Sequence, residues 1–264
     1  MGSLEHFEVY DLTMPMGNGT IAFPIGLKGF EIEHELRWEE HGVNADRISL
    51  SCHAGTHLDG PRHFIPGEGS PWVGDIPLSG GRLVGEGVIV DIAPFVEDYG
   101  IYGEEEILLS GADVREGDIL VIHTGYHRFQ WGRAEADPVR YFYRHPGPGR
   151  AFARWCLDMK LNWLGIDCGS QDHPMNTGLR GRMPEEDRAF CRKHSVDGID
   201  EIFPSGDWQV MHRALFARGM IHVENLGGDI GKVLNRRCVI GCFPLRIEAE
   251  SAPCRVAAFI DTVK

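Results

Sequence analysis

Seven short runs rich in Val, Ile and Leu do most to limit how this chain can fold. They lie at 47–52, 87–92, 118–124, 163–167, 220–224, 238–243 and 255–260. Each has the length of a strand and is bounded by Gly, Asp or Pro, the residues that end strands and turn chains. Glycine accounts for 34 of 264 residues, nearly double the usual ~7%, as expected of a chain with many tight turns. Helical spacing appears only in the second half. Phe152, Trp155, Cys156 and Met159 follow an i, i+3, i+4, i+7 pattern after Pro148. Pro184, followed by Glu185, Glu186 and Asp187, opens a second helix that closes on Arg192 and Lys193. Ser205 is placed to cap a third, carrying Trp208, Met211, Leu215 and Phe216 and ending at Gly219. Strands come early, helices late, and no regular βαβ alternation links them. The expectation is a mixed α/β (α+β) fold in one domain spanning 1–264. The polar, aromatic and Pro/Gly-rich stretch 126–148 reads as a long loop of the kind that covers active sites.

The formal charge of −13 argues against a nucleic-acid partner, which needs a basic face. No apolar run approaches the ~18 residues that span a bilayer, and the first residues carry no basic, apolar export signal. Seven cysteines in no regular framework suit reduced thiols. The expectation is a cytoplasmic protein with a small-molecule substrate and no membrane or nucleic-acid partner.

The chemistry concentrates in Ser51-Cys-His-Ala-Gly-Thr-His-Leu-Asp-Gly-Pro-Arg-His63, where His53, His57, Asp59 and His63 fall within eleven residues. Imidazole nitrogen and carboxylate oxygen are the usual ligands of zinc and manganese. On a helix, His53 and His57 would share a face but Asp59 would point away. On a strand all three would share a face, with His53 and Asp59 ~20 Å apart at ~3.3 Å per residue. Three ligands can meet on one ion only if the backbone curls. Gly55, Gly60 and Pro61 permit that, and a curved loop after the strand 47–52 is the economical arrangement.

The stretch from His53 to His63 resembles the HxGTHxDxPxH signature of the cyclase family, with every fixed position present. That family includes bacterial kynurenine formamidases (arylformamidases), isatin hydrolases and related amide, lactam or lactone hydrolases. The likeness extends to Asp11-Leu12-Thr13, Gly165-Ile166-Asp167 and the stretch 205–228, and is weakest over 126–148 and 175–203. It implies a mixed, largely antiparallel sheet or barrel-like core packed by a few helices. It further implies a divalent metal, zinc or manganese, with one or two ions per chain. His53, His57 and Asp59 would bind the first ion, and Asp59 would bridge to a second held by His212 and Glu224. His63 is the implied general acid/base, although it could instead be a ligand. A homodimer or higher homo-oligomer is implied as well. The activity implied is hydrolysis of a C–N bond in an aryl formamide or cyclic amide by activated water. The alternatives are a lactone or ester hydrolase on the same metal site, or a non-catalytic metal-binding protein. His123, His127 and His173 are placed at the pocket or in structural roles, and Trp72, Trp131 and Tyr126 are candidate substrate contacts. No G-x-S-x-G nucleophile elbow is present. Gly231-Lys232 is not part of a P-loop, because Leu226 stands where its first glycine would be.

Overall fold

The computed structural model describes residues 6–67 and 69–263. Among the described residues twelve strands form: β1 Phe7–Asp11, β2 Glu31–Leu36, β3 Ala45–Ser49, β4 His57–Asp59, β5 Val84–Asp91, β6 Ile101–Tyr102, β7 Ile119–His123, β8 Gly147–Pro148, β9 Trp163–Ile166, β10 Ile221–Glu224, β11 Arg237–Pro244 and β12 Ser251–Asp261. The α-helices among the described residues are α1 Trp38–His41, α2 Glu104–Leu109, α3 Arg150–Asp158, α4 Pro184–His194 and α5 Val210–Phe216.

Eight strands make the main sheet, in the order β1-β12-β11-β5-β7-β9-β10-β4. β5, β7, β9 and β10 run parallel to their neighbours in that series, and the remaining pairings are antiparallel. β4 also pairs with β12, so the sheet closes on itself. This is the mixed, barrel-like core expected. β7, β9 and β10 are buried along their whole length, which suits parallel strands covered on both faces.

Alternation along the strands separates two cores. Ile89, Ile119, Val121, Trp163, Ile221 and Val223 point into one cluster with Leu58 of β4, and Ala252, Val256 and Ala258 of β12 join it. Their sequence neighbours Val88, Val90, Leu120, Ile122, Leu164 and Ile166 point the other way, onto Phe152 and Cys156 of α3 and Met211 and Leu215 of α5. The first cluster fills the barrel, and the second lies between barrel and helices. Strand period two therefore decides where the polar residues of β4 and β10 go. Leu58, Ile221 and Val223 face inward, so His57, Asp59, His222 and Glu224 face the helix-covered side.

Several local expectations change. The strand expected over 47–52 is β3, which pairs only with β2 in an exposed hairpin apart from the main sheet. Short helices α1 and α2 form in the first half as well. Ser205 does not cap α5: Ser205–Asp207 is a separate 3-10 turn, and Gln209, at φ 46°, breaks it from α5. The stretch 126–148 is no open loop. It folds into a 3-10 turn, a π turn and β8, burying Tyr126, Phe129, Tyr141, Phe142 and Tyr143. Its aromatic content is core, because rings of that size are covered by the helices once the chain doubles back.

Candidate metal centre

His57 and Asp59 occupy alternate positions of the three-residue β4, so their side chains share a face. The curl expected of this segment falls before β4. Gly55 sits at φ +65°, and a Cβ there would meet the Met16 sulfur at 2.3 Å, so both conformation and space demand glycine. The turn brings His53 back over the strand. The Nδ1 of His53 lies 3.3 Å from His57 Nε2 and 3.0 Å from Asp59 Oδ1, and His57 Nε2 lies 3.4 Å from that same oxygen. Ligands about 2.0–2.2 Å from a tetrahedral ion stand roughly 3.4 Å apart. The three donor atoms therefore already match the edge of such a site. Asp59 Oδ1 is buried, yet no hydrogen bond reaches it. A carboxylate oxygen so placed calls for a cation.

β10 supplies the other side through its register. Glu224 pairs opposite His57, and His222 opposite Asp59. α5 ends near Gly219, whose φ of +74° turns the chain tightly into β10. That turn returns Glu224 toward His212, with His212 Nε2 3.4 Å from Glu224 Oε1 and 4.0 Å from Asp59 Oδ2. All five expected metal ligands thus converge, with Asp59 between the two groups.

Four neighbours escaped the sequence reading. Buried Asp172 accepts hydrogen bonds from the backbone N–H of Met211 (3.0 Å) and of His212 (3.2 Å), and from His212 Nδ1 at 2.6 Å. It caps α5 and fixes the His212 tautomer, leaving Nε2 for an ion. Gln171 donates its backbone N–H to Glu224 Oε1 at 2.7 Å. Glu250 accepts from His53 Nε2 at 3.1 Å and lies 2.9 Å from His63 Nδ1, joining the first cluster to His63. The buried ring of His222 lies with its centroid 4.9 Å from that of His212. None of these has a local signature. Only period two from Glu224 marks His222.

The electrostatics follow the geometry. Burial pulls the His53 imidazolium down, but the Asp59 carboxylate outweighs it and lifts the pKa to about 11. Burial likewise opposes His212, where the hydrogen bond to Asp172 prevails and raises it to about 10. Asp59, despite burial, is held well below the usual carboxylate range by the His53 and His57 charges. Without an ion, protons supply the positive charge that this carboxylate requires, and a metal would displace them. Replacing Asp172 with Asn removes the charge that orients His212. Zinc affinity should fall about 10–100-fold, as read by chelator competition.

His63 is the most accessible ring of the group, with 27% of its side chain exposed against 13% or less for His53, His57 and His212. It borders a cavity of about 570 Å³ that also reaches Asp59, His212 and Glu224. Phe23, Ile25, Leu27, Phe64 and Trp208 form its apolar walls. The other aromatic candidates lie elsewhere. Tyr126 is core, Trp131 packs on Gly17 and Gly19, and Trp72 stacks under Arg62. His173 is buried against Phe190 and Phe203. His127 donates to Asp167, which also accepts from Thr124 and Gly125, while His123 bonds Asp91. These bonds hold the turn after β7 together.

Two imidazoles and a carboxylate around one point, with a second imidazole–carboxylate pair alongside, define a candidate centre for one or two divalent ions. The chain belongs to the cyclase family: the family model described as "Putative cyclase" matches residues 10–173. A kynurenine formamidase of Bacillus cereus is 28% identical over 166 residues, covering 62% of this chain and 70% of that protein. Among solved structures, an isatin hydrolase bound to the product analogue thioisatinate superimposes with a TM-score of 0.74 at 18% identity, over 97% of this chain and 94% of that one. A potential metal-dependent hydrolase with cyclase activity gives a TM-score of 0.63 at 22% identity, over 96% and 98%.

Proposed function

We propose that this protein is a metal-dependent hydrolase that cleaves the C–N bond of an uncharged aryl formamide or cyclic amide. The observation that carries this reading is the set of five ligand side chains meeting at the floor of a cavity whose walls are apolar and aromatic. His53, His57 and Asp59 would hold one ion, and Asp59, His212 and Glu224 a second, zinc or manganese in each case. Such an ion, when bound, lowers the pKa of water from about 15.7 to about 7 and polarises a carbonyl. The chain's own residues do the rest. Phe64 and Trp208 hold a flat ring against the floor. Glu250 holds the His63 ring by its Nδ1 side, and His63 passes a proton to the leaving nitrogen as the C–N bond breaks. Water adds across the amide, giving a carboxylate and an amine, and no covalent link to the enzyme is needed.

No Lys or Arg lines the cavity among the described residues, whereas Asp59, Glu224 and Glu250 do. That lining favours a neutral cyclic amide over an amino-acid substrate, whereas Arg150, Arg154 and Arg213 line an adjoining cavity that shares Phe64 and Trp208. An ester or lactone hydrolase on the same site is the second reading, since the attack is the same and only the need for a proton on the leaving group differs. A panel of isatin, N-formylkynurenine and a dienelactone decides among them. We expect the cyclic amide to be turned over fastest, activity to vanish with chelator, and zinc or manganese to restore it. Full activity in metal-free protein would defeat the reading.

We read 1–264 as one domain, because a single sheet takes strands from Phe7 through Asp261. A cytoplasmic setting is supported by seven free cysteines, and no described helix is long and apolar enough to cross a membrane. A homodimer or larger assembly is supported by the projecting β2–β3 hairpin, where Trp38, Val43 and Ile48 are all about half exposed or more.

A further inference from the structure

His222 is fully buried, and neither of its ring nitrogens meets a hydrogen-bond partner. A buried polar ring without partners is costly, and chains rarely keep one without a use for it. Its position is not casual. It stands directly across the β4–β10 ladder from Asp59 and two residues before Glu224, on the sheet face that carries His57, Asp59 and Glu224. A donor nitrogen of His222, one of His212 and a Glu224 oxygen lie within 4.8 Å of one another. The ring packs on Phe216, with centroids 4.5 Å apart, so it has little room to turn toward any other partner.

We propose that His222 would be a ligand of the second ion, in a site shared with His212 and Glu224. This rests on the reading of the pocket as a metal centre and extends it. Each ion would then have two imidazoles, and His212, His222 and Glu224 would give the second ion three N/O ligands to hold it through dialysis. With His212 as its only imidazole, the second site would be the weaker of the two.

Two measurements test this. The first compares wild type with His222→Leu, an apolar replacement that leaves no unpaired nitrogen behind. After zinc loading and dialysis, wild type should hold two ions per chain by elemental analysis, and the variant one. In excess chelator the variant should melt no lower than wild type, because the orphaned imidazole is gone. With zinc the order should reverse. A variant that retains the wild-type metal content with unchanged affinity overturns the role of His222, whereas wild type that holds no zinc overturns the metal centre itself. The second measurement needs no variant. Anomalous diffraction from zinc-soaked wild-type crystals should place an ion about 2.0–2.1 Å from a His222 nitrogen. An ion bound by His212 and Glu224 but beyond bonding distance of His222 would overturn the assignment.

Discussion

Asp59→Asn should empty the pocket of metal and cut turnover by at least ~10³-fold, since carbonyl polarisation alone is worth several kcal/mol. Asp59 faces both groups of donors, with Oδ1 toward His53 and His57 and Oδ2 toward His212, and Glu224 does so as well, with Oε2 3.8 Å from His57 and Oε1 3.4 Å from His212. An amide of the same shape keeps the packing but not the charge. The loss should therefore appear in elemental analysis while circular dichroism stays unchanged. A second signature concerns pH. In metal-free wild type, His53 has a pKa of about 11, above the ~6.5 of an unfolded chain. The folded state thus binds the proton more tightly. The stability this provides is fully present below pH ~6.5 and is lost as pH rises through about 11. Thermal melts in chelator should show wild type weakening across that alkaline range. Asp59→Asn should show a shallower fall, because only Glu250 is left to hold the His53 charge. Full metal content in the variant would remove Asp59 from the centre.

The part of the site visible in the sequence was the part with a local pattern. His53, His57 and Asp59 lie close enough along the chain for backbone geometry to restrict them, but the expected loop is replaced by a curl at Gly55 followed by a short strand that carries His57 and Asp59. His212 and Glu224 were legible only through the resemblance to the cyclase family, and one helix, one glycine turn and one strand bring them together. Asp172 and Glu250 could not be found in this way. Asp172 reaches α5 from forty residues upstream, and Glu250 arrives only because β12 pairs with β4 and closes the barrel. Such contacts depend on sheet order, which strand-like runs do not specify. Runs such as 118–124 and 163–167 announced strands, but not that they would lie side by side and parallel. The stretch 126–148 misled for a related reason. Its Pro, Gly and polar residues suggest exposure, yet Gln130, Tyr141 and Asn225 join in a buried chain of hydrogen bonds just beyond Glu224. That chain braces the end of β10 and so the carboxylate it carries.

The barrel's two faces explain why the centre sits where it does. A position inside the barrel would meet apolar side chains, from which water is excluded. The outer face lies under α5 but opens at one edge into the cavity, so donors there can be buried and still reach a substrate. Leu58 between His57 and Asp59, and Val223 between His222 and Glu224, anchor the donor strands from behind. A shift of one residue in β4 would send both ligands into the barrel, so the packing of Leu58 guards the register of the site.

His63→Asn should lower turnover of an amide by about 10²–10⁴-fold, the usual worth of a positioned acid/base, without lowering metal content. The prediction separates two roles that the geometry brings close together. The ring lies 4.4 Å by centroid from His53 and 5.9 Å from His212, near enough to be taken for a ligand. Its Nδ1, however, is occupied by Glu250 at 2.9 Å, and its side chain is the most open of the group. A ligand would carry the metal away when removed, whereas a proton donor would not. The leaving group supplies a further discrimination. An amide nitrogen must be protonated before it departs, while the phenoxide of an activated aryl ester can leave unaided. The variant should therefore lose less than ~10-fold on such an ester, with the large loss confined to amides. Equal losses on both substrates together with reduced zinc content would make His63 a ligand, and the proton would then have to come from elsewhere in the pocket.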